Sequence, residues 1–181
     1  WASLFEARSI FYRAEKKFDH FKVGIAVPVQ LMIESEVSGV MFTIDPVTQY
    51  KDKVIIEAIY GLGELIVSGQ TTPDHYEVAK NNFQILGKNI VSQERQLIKT
   101  PKGNKQVPVS VAFRRQQKLK DEEIIKLAKL GKIIEEHYYF PQDIEWAYKN
   151  GQIYIVQTRP VTTIKGKKDP GLEKDEPATF G

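Results

Sequence analysis

The chain has 181 residues, with 26 Lys and Arg against 23 Asp and Glu, a formal charge of +3 diluted over 27% charged residues. That near balance excludes the clustered basic excess of a nucleic-acid-binding surface. The absence of cysteine excludes disulfide scaffolds, thiolate zinc sites and cysteine nucleophiles. His20, His75 and His137 lie far apart and form no local metal motif, and no apolar run reaches the ~18 residues of a membrane span. The expectation is a soluble, cytoplasmic protein of helices and strands, with no nucleic-acid or membrane partner, able to bury roughly 70% of its unfolded surface without a staple.

Segment 1–19 places Leu4, Ala7, Ile10, Phe11 and Ala14 at helical spacing. It opens at Trp1 without a capping residue, which leads us to expect residues upstream. Residues 23–33 read as a buried strand, with Pro28 favouring an edge or bulge. A second strand is expected at 37–44, ended by Asp45-Pro46, and a third at 53–58. Gly61-x-Gly63 then leads into a helical stretch at 63–69. Residues 75–80, 83–92 and 95–99 suggest a meander of short strands, and 106–113 reads equally as loop or strand. The clearest helix is 121–138, with Asp121 as its cap and Ile124, Ile125, Leu127, Ala128, Ile133 and Ile134 as its apolar stripe. A hairpin follows at 142–158 with Asn150-Gly151 at its turn. The tail 164–177 carries eight charged residues in fourteen, the composition of a solvated linker.

The hairpin is the most informative local feature, because side chains alternate faces along a strand and loop length sets which of them meet. A two-residue Asn-Gly loop would set Glu145 opposite Val156 and turn Gln157 to the other face. A three-residue loop, Lys149-Asn150-Gly151, pairs Glu145 with Ile155 and Asp143 with Gln157. That register gathers Ile144, Trp146, Tyr154 and Val156 on one apolar face and Asp143, Glu145, Gln157 and Arg159 on the other, a segregation that favours the longer loop. Carboxylate and amide oxygens are hard ligands for Mg²⁺, and a guanidinium grips phosphate bidentately. The same four side chains would also serve as a plain solvated face with a cross-strand charge pair.

Four ordered blocks, SGVMFTIDPVT (38–48), EAIYGLGELIVSGQTTPD (57–74), PQDIEWAY (141–148) and IYIVQTRPVTT (153–163), closely resemble the nucleotide-binding domain of the phosphoenolpyruvate synthase (pyruvate, water dikinase) and pyruvate phosphate dikinase family. WASLFEARSIFYR (1–13) and FDHFKV (18–23) are similar to it in the same order, so the likeness runs to about Thr163. The resemblance implies an α+β, ATP-grasp-like fold, of which 1–163 would be the C-terminal portion, mainly antiparallel sheet with flanking helices, and 164–181 a linker toward a phosphohistidine domain. It implies Glu145 and Gln157 as Mg²⁺ ligands, and Gln157 and Arg159 at the phosphates of ATP, with Arg159 in the catalytic role. Gln30 would touch the nucleotide near its base. The implied chemistry phosphorylates a histidine on a swivelling domain, which serves pyruvate; the net reaction turns ATP, pyruvate and water into AMP, phosphoenolpyruvate and phosphate.

None of the three histidines sits in the Thr-Ser-His context of the family's phosphohistidine. The partners implied are therefore ATP and three absent pieces: the N-terminal half of the ATP-grasp domain with its glycine-rich loop and lysine, the phosphohistidine domain and the pyruvate-binding domain. The chain alone is expected to be inactive. Gly61 and Gly63 suit a tight turn better than a phosphate loop. Asp45-Pro46 and Thr71-Thr72-Pro73-Asp74 would order loops at the cleft rim, and His75 would belong to that turn. His20 reads as a surface or helix-end residue, and His137 suits the end of its helix. Glu57 sits on a strand from which it could face the nucleotide. Arg8 and Arg13 could reach phosphates or be simply solvated, and Trp146 with Tyr138, Tyr139 and Phe140 reads as core and hinge packing. Rival readings are a rifampicin phosphotransferase or another dikinase with the same domain, or a stand-alone nucleotide-binding module without chemistry.

Overall fold

A computed structural model describes residues 1–162; the expected linker at 164–181 lies outside them. The chain divides into two compact units, Trp1–Met32 and a second beginning at Ile33.

In the first unit a 3-10 turn over Ala2–Phe5 precedes helix α1, Ala7–Glu15. The expected single helix breaks at Glu6, whose backbone is extended. Arg13 is the buried residue of α1: its guanidinium donates to the Leu4 carbonyl at 2.6 Å and to His20 Nδ1 at 3.1 Å. The strand expected at 23–33 is absent. An extended segment becomes a strand only when a neighbour takes its N–H and C=O groups. Among the described residues this segment joins neither sheet, Pro28 lacks a donor, and Val29 stands fully exposed.

The second unit is built on an antiparallel six-stranded sheet. Its strands are β1 (Val37–Phe42), β2 (Lys53–Tyr60), β3 (Asp74–Ala79), β4 (Ile85–Asn89), β7 (Gln142–Lys149) and β8 (Gln152–Pro160), in the order β4-β3-β2-β1-β7-β8. A short helix α2, Glu64–Val67, follows β2. Strands β5 (Arg95–Thr100) and β6 (Gly103–Pro108) make a separate two-stranded sheet, so the segment left open between loop and strand is part strand. Helix α3 runs Asp121–Tyr138 as its periodicity predicts.

One face of the large sheet is dry. Met41, Val54, Ile56, Ala58, Tyr76, Val78, Ile144 and Trp146 pack with Ile124, Leu127 and Ala128 of α3, each fully buried Leu, Ile or Val contributing about 1.5–3 kcal/mol. The cap of α3 differs from expectation. Lys120 occupies the N-cap without a side-chain bond, and Asp121 is the first helical residue, its carboxylate turned to Lys88 and Gln117. Asp121, Glu122 and Glu123 still place negative charge on the first turn, where the helix dipole favours it. Ile133 is exposed, and so are Tyr138 and Tyr139; Phe140 is buried, and so is Trp146. Tyr139 takes the left-handed conformation that ends the helix.

Two further buried devices hold the loops. Gly61 has φ +83°, and a Cβ there would meet the Leu97 carbonyl at 2.4 Å; its own carbonyl accepts from the Ser35 and Ser38 hydroxyls. It is a turn glycine, as expected. Asp74 is buried, not a rim residue: it accepts from Lys118 Nζ at 2.6 Å and from the Tyr76 hydroxyl at 2.8 Å. Among the described residues no helix is long and apolar enough to cross a membrane.

Candidate functional site

The sheet face opposite α3 carries the polar residues of the hairpin. Asn150 and Gly151 both have positive φ, 50° and 79°, which is what a two-residue hairpin turn demands. Lys149 pairs with Gln152, Tyr148 with Ile153, Ala147 with Tyr154 and Trp146 with Ile155. The three-residue loop expected from side-chain segregation is therefore wrong. The segregation itself survives by another route: β8 shifts register between the Trp146 and Glu145 pairs, leaving Val156 as an extra residue. Beyond it Glu145 pairs with Gln157, Ile144 with Thr158 and Asp143 with Arg159.

The correction reassigns the apolar partners. Ile153 and Ile155, with Tyr148 and Trp146, face the core beneath α3, whereas Tyr154 lies opposite Ala147 on the other face and Val156 is exposed. Thr158 also points inward and donates to the buried Gln142 Oε1 at 2.9 Å, fixing the base of β8.

On the uncovered face Arg159 Nε donates to Asp143 Oδ2 at 2.8 Å. The carboxylate beside it raises the Arg159 guanidinium above its already high value, with Glu145 adding to the effect. Asp143 is the more enclosed partner, its side chain 13% exposed against 62% for the arginine, so it anchors a guanidinium whose remaining N–H groups face outward. Sequence reasoning placed Asp143 on this face without giving it that task. Glu145 and Gln157 spend their side chains on no hydrogen bond among the described residues, which leaves a carboxylate and an amide side by side.

The same face continues across the sheet. Glu145 pairs with Val40 of β1, Val40 with Glu57 of β2, and Glu57 with His75 of β3. His75 is thus a strand residue, not part of a turn. Its Nδ1 lies 3.8 Å from Glu57 Oε1 and its Nε2 lies 3.9 Å from Glu77 Oε1, while Glu77 Oε2 accepts from Lys53 Nζ at 2.6 Å. At one end of β2 and β3, Thr48, Tyr50, Asp52, Lys53, Ala79, Asn81 and Leu86 line an open recess of about 510 Å³. Of the earlier candidates, Arg13 is spent on Leu4 and His20. Arg8 and Gln30 are exposed within the first unit.

A family model described as the pyruvate phosphate dikinase AMP/ATP-binding domain matches residues 1–179. The phosphoenolpyruvate synthase of Pyrococcus furiosus is 49% identical over 174 residues, which cover 91% of this chain and 21% of that protein. The phosphoenolpyruvate synthase of Aquifex aeolicus is 46% identical over 187 residues, 93% of this chain and 22% of its own length. A rifampicin phosphotransferase of Bacillus subtilis is 39% identical over 165 residues, 91% and 19% respectively. The chain spans about a fifth of the length of these curated relatives.

Proposed function

The chain belongs to the pyruvate phosphate dikinase AMP/ATP-binding domain family, and from that premise we propose that it is the ATP-gripping segment of a phosphoenolpyruvate synthase. In this reading it forms the C-terminal portion of an ATP-grasp-like clamp. Its partners are an N-terminal half that closes over the phosphates, a phosphohistidine domain and a pyruvate-binding domain, and alone it turns nothing over. The higher identity to the two synthases, 49% and 46%, than to the rifampicin phosphotransferase, 39%, favours pyruvate as the eventual acceptor.

The observation that carries the proposal is the pairing of Glu145 with Gln157 beside the Asp143–Arg159 pair, all on the face that α3 leaves uncovered. Phosphoryl transfer through a loose transition state asks the protein for positioning and charge neutralisation rather than covalent chemistry. The donor set suits Mg²⁺, which takes one or two carboxylate or amide oxygens and completes its octahedron from phosphate and water. Among the described residues no group of three or more His, Asp and Glu could hold a metal unaided, in keeping with a cation that arrives with its nucleotide. Glu145 and Gln157 would hold that ion, which when bound neutralises phosphate charge. Arg159, its Nε fixed by Asp143, aims its terminal N–H groups at a phosphoryl oxygen, where a planar fork binds two oxygens at once. Val40 and Phe42 supply a partly buried floor of low polarity beneath, where such contacts strengthen. Gln30 is proposed at the base of the nucleotide on the family resemblance alone.

The test uses the longer enzyme and its Glu145→Gln variant, with phosphate-labelled ATP. The parent should label its carrier histidine in a Mg²⁺-dependent reaction and form AMP when pyruvate is supplied. Glu145→Gln should lower labelling by at least about a hundredfold, as removing a charge-stabilising group does. Undiminished labelling would remove Glu145 from the site, and AMP formation driven by rifampicin instead of pyruvate would reassign the acceptor.

A further inference from the structure

Glu57 occupies the cross-strand row of the proposed metal ligands, yet the reading above gives it no work. The row runs Gln157, Glu145, Val40, Glu57, His75 and Asn89 across five strand pairings. Directly opposed residues share a face, and their side chains stand nearly perpendicular to the sheet. Glu57 and Glu145 are therefore two strand spacings apart, about 10 Å. Two oxygens on one Mg²⁺ lie at most about 4.2 Å apart across bonds of about 2.1 Å, so carboxylates standing parallel at that spacing do not share one ion.

The surroundings keep Glu57 available. Its side chain is 31% exposed, and its nearest partner, His75 Nδ1, stands at 3.8 Å, outside hydrogen-bond range. The cation of this corner, Lys53, is committed to Glu77 at 2.6 Å. A half-buried carboxylate with no hydrogen bond and only His75 within ion-pair distance, about 10 Å along the row from the proposed phosphate end, would repel a polyphosphate. It accepts well from neutral hydroxyls, and the hydroxyl-bearing part of an adenine nucleotide is its ribose. We propose that Glu57 recognises the ribose, its carboxylate accepting hydrogen bonds from the 2′- and 3′-hydroxyls while the phosphates run across Val40 toward Glu145 and Gln157. This assignment rests on the ATP-binding reading above.

Equilibrium binding of ADP and 2′,3′-dideoxy-ADP to the longer enzyme, titrated at several Mg²⁺ concentrations, tests it. The parent should prefer ADP by about tenfold or more, the worth of a hydrogen bond to a charged acceptor. Glu57→Ala should erase that preference, weakening ADP while leaving the dideoxy nucleotide and the Mg²⁺ requirement unchanged. Glu57→Gln keeps an acceptor oxygen without the charge. It should reduce the preference without erasing it, and it carries the test if Glu57→Ala does not fold. An equal loss for both nucleotides, a raised Mg²⁺ requirement or an unchanged preference in Glu57→Gln would each overturn the assignment while leaving the ATP reading in place. A parent that binds neither nucleotide would overturn both.

Discussion

Gln157 stands directly across from Glu145 because β8 carries one residue more than its partner, Val156, between the Ile155 and Gln157 pairings. Were the ladder to run on unshifted past Ile155, the two-residue turn would set Glu145 against Val156 and turn Gln157 toward the core beneath α3. A bulge that reverses the parity of a strand thus delivers Gln157 and Arg159, the two residues of β8 proposed at the phosphates, to the same face as Glu145 and Asp143. Bulges re-aim side chains in this way beside binding sites.

Two single-residue deletions separate register from composition. Removing Val156 straightens the ladder and leaves Gln157 opposite Glu145, so the affinity of the longer enzyme for Mg-ADP should stay near the parent value. Removing Thr158 instead brings Arg159 opposite Ile144, burying a guanidinium where Thr158 now donates to Gln142. That variant should lose nucleotide binding and several degrees of Tm, since an unpaired buried charge is costly. Calorimetric titration with thermal melting checks both. Loss of binding on deleting Val156 alone would show that the bulge does more than set register.

Asp143 and Arg159 should behave as one unit. Their pair is too exposed on the arginine side, 62%, to contribute much stability; such bridges are typically worth 0.2 to about 1 kcal/mol. Asp143→Asn should therefore shift Tm little, yet lower kcat/KM by about tenfold through a misaimed guanidinium, as small misplacements do. Arg159→Ala should cost more, and the double variant no more than Arg159→Ala, because contacting residues are not additive. Arg159→Lys should fail to restore activity, lacking the planar fork. A double variant whose losses simply add would show that Asp143 acts independently.

Much of this was legible in the residues. The Asn-Gly turn, the alternation of β7 and the stripe of α3 are local patterns, and they predict the hairpin and the helix closely. The bulge was not legible, since Val156 has no backbone requirement that marks it. It is chosen by which register buries Ile153 and Ile155 while exposing Gln157. Segment 23–33 misled for the converse reason: an apolar run has strand composition, but strand formation depends on a partner. Asp74, Lys118 and Gln93 are polar residues whose burial depends on loops distant in sequence, so no window along the chain reveals them. Gln93, for example, closes on the backbone of Tyr60, donating to its carbonyl at 3.0 Å and accepting its N–H at 2.8 Å.

The loop after β1 should show a pH signature. Asp45 accepts from the Thr48 hydroxyl at 2.6 Å and from the backbone N–H groups of Val47 and Thr48 at 2.9 and 3.1 Å. These bonds, the Thr48 hydroxyl foremost, hold its carboxyl below the usual value of 3.8. A depressed folded value means that the stabilisation is fully present above the unfolded value and is lost as pH falls through the folded one. Thr48→Val removes the hydroxyl, so its Tm should lie below the parent's at neutral pH. The gap should narrow only below about pH 4, near the ordinary carboxylate range. A gap that stays constant to pH 2 would show that Thr48 acts by packing alone.

The buried pair of Asp74 and Lys118 should be the costliest to break. Both side chains are wholly inaccessible. Asp74 Oδ1 accepts from Lys118 Nζ at 2.6 Å and Val91 N at 2.9 Å, and Oδ2 from the Tyr76 hydroxyl at 2.8 Å and Lys118 N at 3.1 Å. Lys118 Nζ also donates to the Val91 carbonyl and lies 5.5 Å from the centre of the Tyr60 ring. One ion pair thereby joins the start of β3, the segment after β4 and the approach to α3. Burial and the Asp74 carboxylate together push the Tyr76 phenol far up, so Tyr76 stays a donor and cannot offset a lost cation. Lys118→Met strands a carboxylate without its counter-charge, which should lower the unfolding free energy by about 3–5 kcal/mol. Adding Asp74→Asn should recover part of that, because the amide oxygen keeps donors at no charge cost. Urea unfolding measures both. A loss below about 1 kcal/mol for Lys118→Met, the range of a surface pair, would mean that water reaches Asp74 once the ammonium is gone.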